Sequence, residues 1–252
     1  MSVAVLFGIF FFLVILGTPI AICLGAATFV TLVLFTPISP IEISSMMFDK
    51  IEHYSLMAIP MFIFAGNLLS KGSAAQRIIE FAKSIVGHLP GGLPISAIFA
   101  SIIFAAVSGS SPATVVAIGS IMFGAIMQAG YPKRYAVGTI ATAGSLGILI
   151  PPSIVLIVYG VTAEVSIGKL FMAGVLPGVM LGIMMMVVTY IGARRLGFER
   201  TEPQPFKIRL KKMKDAAWGL MTIVIVIGGI YGGIFTPTEA AAVACMWAFF
   251  VS

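Results

Sequence analysis

The sequence predicts an all-α protein built into a membrane. Hydrophobic residues make up 60 % of the chain and charged residues 10 %, where a water-soluble domain carries roughly 25 % charge. The mean hydropathy is +1.12. The apolar residues also come in runs separated by short polar breaks. At 252 residues, the chain has room for about seven to nine helices of roughly 20 residues each. The first run starts at Met1 with neither a basic n-region nor an A-x-A-like site, so it reads as a retained span. The net charge of +6 does not point to nucleic acid. The basic residues sit in short loops between apolar runs, the pattern that orients membrane proteins. Cys23 and Cys245 lie in apolar runs without metal-like spacing and read as small hydrophobes.

Taken in order, residues 3–36 are too long for one untilted span, and "GTP" at 17–19 divides them into helices over 3–16 and 18–36. Residues 37–53 are polar enough for an interfacial loop, and a third span runs from 55 to 70. Between Ser73 and His88, Ile78, Ile79, Phe81, Ala82, Ile85 and Val86 fall on one helical face. Gln76, Arg77, Glu80, Lys83 and Ser84 fall largely on the other, the pattern of an interfacial amphipathic helix. Two short apolar limbs follow at 94–107 and 113–127, then a run over 135–163 broken by "PPS" at 151–153. A clear span covers 169–193, a basic loop 194–215, and another span 216–235. The final helix opens on Thr236-Pro237-Thr238-Glu239, a capping box with Thr236 as N-cap. The sum is seven full spans and one hairpin.

Lys71, Arg77 and Lys83, then Lys133 and Arg134, then Arg194 to Lys214 form three basic segments, all of which belong in the cytoplasm. Two full crossings at 94–127 satisfy that rule, and so does a hairpin that enters and returns. Short limbs and a polar tip favour the re-entrant hairpin. The N-terminus and Glu164 are then outside and the 194–215 loop inside.

The tip reads "VSGSSPATVVAIGS" at 107–120. Proline lacks an N–H, so a helical carbonyl four residues earlier loses its partner. Pro112 frees the carbonyl of Ser108; Pro151 and Pro152 free those of Gly147 and Ile148 and loosen Leu149 and Ile150. Non-helical backbone at membrane depth is tolerated where it lines a cavity or is buried in protein, and broken helices there are how secondary transporters hold a coupling ion. Ser111 before Pro112 reads as an N-cap followed by proline at the first helical position. The positive end of helix 113–127 then faces the membrane middle and suits a carboxylate. The alternative is packing, since glycine and proline are common in membrane helices.

"SGSSPATVVAIGS", followed by "GSLGILIPPSI", closely resembles the large membrane subunit of tripartite ATP-independent periplasmic (TRAP) transporters of the dicarboxylate type. So do "MAIPMFIFAGNLL", "GHLPGGLPISAI" and "GGIFTPTEAAAVA", which extend the likeness through essentially the whole chain. The resemblance implies the elevator fold of the ion-transporter superfamily, here its N-terminal part: the first inverted repeat, with a re-entrant hairpin and a proline-broken helix. It implies scaffold helices over 1–70 and a cytoplasmic arm over 71–90. The first half of the transport domain follows over 91–163, with hairpin 94–127 and broken helix 135–163. Scaffold helices again cover 164–252, the chain ending before the second repeat. It also implies import of a small organic acid, C4-dicarboxylate-like or another carboxylate, on a sodium gradient across the bacterial inner membrane. The implied partners are a small membrane subunit and a periplasmic substrate-binding protein. Carried onto this chain, one sodium lies among the backbone oxygens of Ser108, Ser110, Gly147, Ile150 and Pro152. Ser111 and Thr114 are the candidates for the substrate side, on geometry alone.

His53 and His88 lie at predicted interfaces without partner spacing for a metal, and Glu164 reads as an exposed loop residue. Asn67 and Gln128 suit either interhelical hydrogen bonds or a cavity. Met184, Met185 and Met186 read as packing bulk. No nucleophile–base pair or phosphate-cradling loop is present, so no enzyme and no cofactor beyond the coupling ion are expected. The competing readings are a passive channel and a scaffold fragment without transport.

Overall fold

The computed structural model describes residues 2–198, 200 and 202–252 and shows helices without strands among them. Met1–His53 and Tyr54–Ser252 form two compact units.

In the first unit, α1 (Ser2–Ile15) and α2 (Ile20–Phe35) pack on each other. Gly17 turns the chain between them at φ +77°, a conformation that suits glycine. Phe11, Phe12, Ile20 and Leu34 are more than half exposed, as lipid-facing side chains are. The segment expected as an interfacial loop contains a helix, α3 (Pro40–Ile51). Ser39 caps it, its Oγ accepting the Glu42 N–H at 3.2 Å, and Pro40 opens it. The Ser-x-x-Glu signature was present, but the polar composition outweighed it. Between α2 and α3 lies an apolar groove of about 430 Å³, lined by Phe29, Leu32, Ile43 and Met46 among others.

The second unit begins with a 3₁₀ turn (Tyr54–Met57) and α4 (Ala58–Lys71). The amphipathic segment forms α5 (Ser73–Val86), which buries Ala74, Ala75, Ile78, Ile79 and Ala82. Ser84, expected on the polar face, is buried as well and satisfies its hydroxyl on the Phe81 carbonyl at 2.7 Å. The hairpin limbs are α6 (Gly92–Ser108) and α7 (Ser111–Gln128), each three residues longer than expected. At that length the polar tip, and not shortness, is what distinguishes a hairpin from two crossings. The broken run has two interruptions: α8 (Lys133–Gly144), α9 (Leu146–Leu149) and α10 (Ile154–Thr162).

α11 (Ile167–Arg195) follows, then α12 (Phe206–Ile223), a π-helical stretch Val224–Gly228, α13 (Gly229–Tyr231) and α14 (Pro237–Val251). The basic loop is shorter than expected, because residues 206–215 already belong to α12. Lys, Arg, Leu and Met are good helix formers, so a high charge density did not stop the helix. On α5, Glu80 holds Lys83 at 3.4 Å and reaches α12 at Lys212, 3.3 Å away. At Thr236 both halves of the expected capping box are made.

Among the described residues four helices are long and apolar enough to cross a membrane: Ser111–Gln128, Lys133–Thr162, Ile167–Arg195 and Phe206–Tyr231. α1, α2, α6 and α14 are apolar but shorter, so the expected total of seven spans leans on helices below the length of an untilted crossing. The chain is an all-helical, multi-pass membrane protein.

α11 carries a stripe the sequence reading passed over: Gly174, Gly178 and Gly182 are all buried. Spacing of four puts them on one face, and small residues so placed let helices approach closely. A Cβ on Gly174 would lie 2.6 Å from the Leu149 carbonyl oxygen. One on Gly178 would lie 2.6 Å from Ile150 Cγ1, and one on Gly182 2.5 Å from Ile102 Cδ1. We therefore expect Gly174→Ala to cost about 1–3 kcal/mol of stability through overpacking, measured by unfolding of the full-length subunit in detergent. Gly124→Ala, where a Cβ meets nothing within 4 Å, should be neutral; equal effects at both positions would refute the close-packing account.

Candidate functional site

α6 ends because Gly109 takes the left-handed conformation, φ +61°, with its N–H on the Ala105 carbonyl at 3.0 Å. The carbonyl of Ser108 thus loses a helical partner because the helix has stopped, and Pro112 is not the cause. Ser110 is extended (φ −134°, ψ 125°) and is the N-cap of α7, its Oγ accepting the Ala113 N–H at 3.5 Å. This corrects the assignment of Ser111 as cap. Ser111 is the first helical residue and Pro112 the second, still within the turn where a missing N–H costs nothing.

At the double proline, α9 closes with the Ile150 N–H on the Leu146 carbonyl at 2.8 Å, and the Pro151–Pro152 peptide is cis. The chain restarts at Ser153, whose Oγ caps α10 by accepting the Leu156 N–H at 3.4 Å. The same hydroxyl donates to the carbonyl of Ile148. One of the two carbonyls that the prolines release is therefore already served, by a residue the sequence reading did not single out. The signal was the serine directly after the proline pair, an N-cap position.

The tip and the break touch. The Ile154 N–H donates to the Gly109 carbonyl at 3.1 Å. A Cβ on Gly109 would lie 2.5 Å from the Pro152 carbonyl oxygen. A Cβ on Gly147 would lie 2.7 Å from the Ser110 carbonyl and 2.8 Å from the Ser111 nitrogen. Gly144, one turn back, faces the Val115 side chain instead. From the other side Gly66 of α4 admits Ser108, whose Cα would stand 3.0 Å from a Cβ there. Ser108, Thr114 and Ser153 are buried, Ser111 is half-buried.

The hydroxyls at the tip form a chain. Ser108 Oγ lies 3.1 Å from Thr114 Oγ1, which donates to the Ser110 carbonyl at 2.9 Å. That carbonyl also accepts the Thr114 N–H at 3.0 Å. By contrast, the carbonyls of Ser108, Gly147, Ile150 and Pro152 accept no hydrogen bond among the described residues. The backbone positions expected to hold sodium are thus brought into one junction, with the Ser110 oxygen already engaged. Of the expected substrate residues, Thr114 spends its hydroxyl internally, and Ser111 stands at the start of α7.

The sequence profile described as "Tripartite ATP-independent periplasmic transporter, DctM component" matches residues 7–252. The chain belongs to this DctM family. It is 46 % identical, over its whole length, to the C4-dicarboxylate TRAP transporter large permease protein DctM of Rhodobacter capsulatus, and covers 60 % of that protein. Against the protein of the same description from Vibrio cholerae it is 48 % identical, again over its whole length and over 56 % of the relative. The isethionate TRAP transporter permease protein DctMQ of Oleidesulfovibrio alaskensis is 42 % identical over 96 % of this chain and 38 % of its own. The chain therefore spans little more than half the length of the first two relatives. DctM proteins are transporter permeases and not enzymes.

His53, Asn67, Gln128 and Glu164 are exposed. His88 is half-buried, with a Nδ1 that meets no partner among the described residues. In this DctM protein the contact between hairpin tip and break depends on the missing side chain of Gly147. Gly147→Ala forces a Cβ against the Ser110–Ser111 backbone and, on the function proposed below, should abolish uptake by the complete transporter while membrane insertion persists. Gly138→Ala, with open space around its Cβ, should leave uptake intact. Uptake retained in Gly147→Ala would separate the junction from function.

Proposed function

We propose that the chain is the first half of the translocating subunit of a sodium-coupled importer of small organic acids in the bacterial inner membrane. The carrying observation is the junction itself: two interruptions of helical backbone in contact, where the carbonyl oxygens of Ser108, Gly147, Ile150 and Pro152 meet no donor among the described residues. A monovalent hard cation suits such oxygens. Ser108, Gly147, Ile150 and Pro152 supply them, while the Ser110 oxygen is held by Thr114. A periplasmic binding protein delivers the substrate, and a small membrane subunit packs on the scaffold helices.

In this reading the subunit works as an elevator, with α5 as the arm along the cytoplasmic face between scaffold and hairpin. We group α11 with the moving half and not, as the resemblance implied, with the scaffold. Its glycine stripe presses on α9 and on the break, and the Tyr135 hydroxyl of α8 donates to its Thr189 carbonyl at 2.6 Å. Such backbone-to-backbone packing does not slide freely.

The substrate class follows from the start of α7, where a helix N-terminus favours an anion. The relatives named for C4-dicarboxylates favour a carboxylate. The relative named for isethionate shows that the family extends beyond carboxylates.

Uptake by the full-length subunit with both partners in liposomes should vanish when sodium is replaced by potassium; sodium-indifferent uptake would favour a channel. Pro152→Ala returns an N–H to the break and should raise the half-saturating sodium concentration by about tenfold or more, because a continued helix turns its carbonyls along its own axis. Ser110→Ala keeps its carbonyl and should change it by less than about threefold. The reverse order would mean a side-chain site. Thermal shift of the cognate binding protein should find a carboxylate, and a ligand without an anionic group would sink the substrate assignment.

A further inference from the structure

We propose that two buried hydroxyls, Ser153 Oγ and Thr114 Oγ1, select which carbonyls at the junction face the coupling cation. Both are then positioning residues on the cation side, and Thr114 is not a substrate contact. This rests on the sodium reading above.

Ser153 is fully buried. Its one proton goes to the Ile148 carbonyl, and a lone pair takes the Leu156 N–H. A serine hydroxyl has one proton to give, so Ser153 is committed to holding Ile148 out of the oxygen set while fixing where α10 begins. The position of Pro152 and the direction of its carbonyl follow from that fixed start, since Pro152 is the residue before it. Thr114 is also fully buried. Its proton goes to the Ser110 carbonyl, which already carries the Thr114 N–H, so both acceptor directions of that oxygen are filled. With the Thr114 proton pointing at Ser110, Ser108 Oγ is left as the donor, to Thr114 Oγ1 at 3.1 Å or to the Ser110 carbonyl at 3.5 Å. The chain Ser108 to Thr114 to Ser110 thereby fixes the Ser108 side chain beside its own unpaired carbonyl.

Among the carbonyls released from regular helical pairing or standing at its edge here are those of Ser108, Ser110, Gly147, Ile148, Ile150 and Pro152. The two hydroxyls remove Ser110 and Ile148 from competition with the expected cation ligands Ser108, Gly147, Ile150 and Pro152. A site with its ligands fixed before the ion arrives does not spend ion-binding free energy on ordering them. Removing either hydroxyl restores a competing oxygen and, at Ser153, also strands the Leu156 N–H.

The test uses the full-length subunit with its partners in liposomes, together with sodium-induced thermal stabilisation of the purified full-length subunit. Ser153→Ala removes a hydroxyl, Thr114→Val replaces one by a methyl group of similar shape, and Thr114→Ser keeps it. Each hydroxyl loss should raise the sodium concentration for half-maximal uptake and for half-maximal stabilisation by about three- to tenfold. Substrate half-saturation at saturating sodium should stay within about twofold, and Thr114→Ser should restore the sodium response. A wild type indifferent to sodium in both assays would refute the sodium reading itself. A sodium-responsive wild type matched by Ser153→Ala and Thr114→Val would overturn the selection role alone. So would Thr114→Val if it weakened substrate and left sodium unchanged. Because stabilisation is read on purified folded protein, a variant that inserts poorly still reports its sodium affinity.

Discussion

Every backbone carbonyl at membrane depth must find a donor, and the second unit of this protein is organised around a few that do not find one in their own helix. An unmade hydrogen bond on a buried polar group costs about 1–3 kcal/mol. Two adjacent interruptions therefore amount to a large local destabilisation unless the surroundings are built for them. Here the surroundings are hydroxyls placed directly before each helix restart. Ser110 caps α7 and Ser153 caps α10, and Thr114, one turn into α7, turns its hydroxyl back to the tip. The broken backbone is thereby reduced to a small number of oxygens with no protein partner, all on the two segments that touch.

Holding those segments together is the task of missing side chains. Gly147 and Gly109 let tip and break meet backbone to backbone, Gly66 admits the tip from α4, and Gly174 and Gly178 bring α11 against the far side of the break. At the other end of the same helices large aromatic groups take over. Tyr131 stacks on Phe198 at 3.7 Å and on Tyr135 at 5.8 Å, and Tyr135 bonds to α11 through Thr189. Small residues where polar backbone must approach, and rings where helices only need anchoring, divide α6–α11 into a tight end and a padded end. Packing of this kind resists continuous deformation, so on the proposed elevator reading α11 moves with the hairpin.

Most of the helices were legible in the sequence because apolar runs and their punctuation are strong signals. The tip, the double proline and the Thr236 cap were legible for the same reason. Where the reading failed, charge or polarity was taken for irregular structure. Residues 40–51 and 206–215 are polar, yet the first opens on a capping signature and the second is rich in helix formers. The cap shifted by one residue, from Ser111 to Ser110, because two serines precede Pro112 and only backbone dihedrals separate them. The role of Ser153 was not legible at all: proline spacing says which carbonyls lose a donor, but not which of them a side chain reclaims. The stripe on α11 was readable as three glycines four apart and was missed, since a stripe without its partner surface says nothing about what it meets.

The tip joins two helix ends of opposite character, and on the proposed reading that is why one short turn serves two ions. α6 ends there with carbonyl oxygens and a partial negative charge, while α7 begins there with N–H groups and a partial positive charge. Only Gly109 and Ser110 separate the two ends. A cation drawn to the Ser108 side fixes the residue from which α7 is hung, and so fixes the N-terminus that meets the anion. Coupling of this kind is reciprocal: if the cation raises anion affinity tenfold, worth about 1.4 kcal/mol, the anion raises cation affinity by the same factor. No carboxylate is needed to carry the coupling. It passes through two residues of backbone whose freedom is removed by Gly109's contact with Pro152 and by the Ile154 N–H on the Gly109 carbonyl. Loosening that contact should weaken both affinities together, whereas a change confined to one helix end moves one ion and leaves the other.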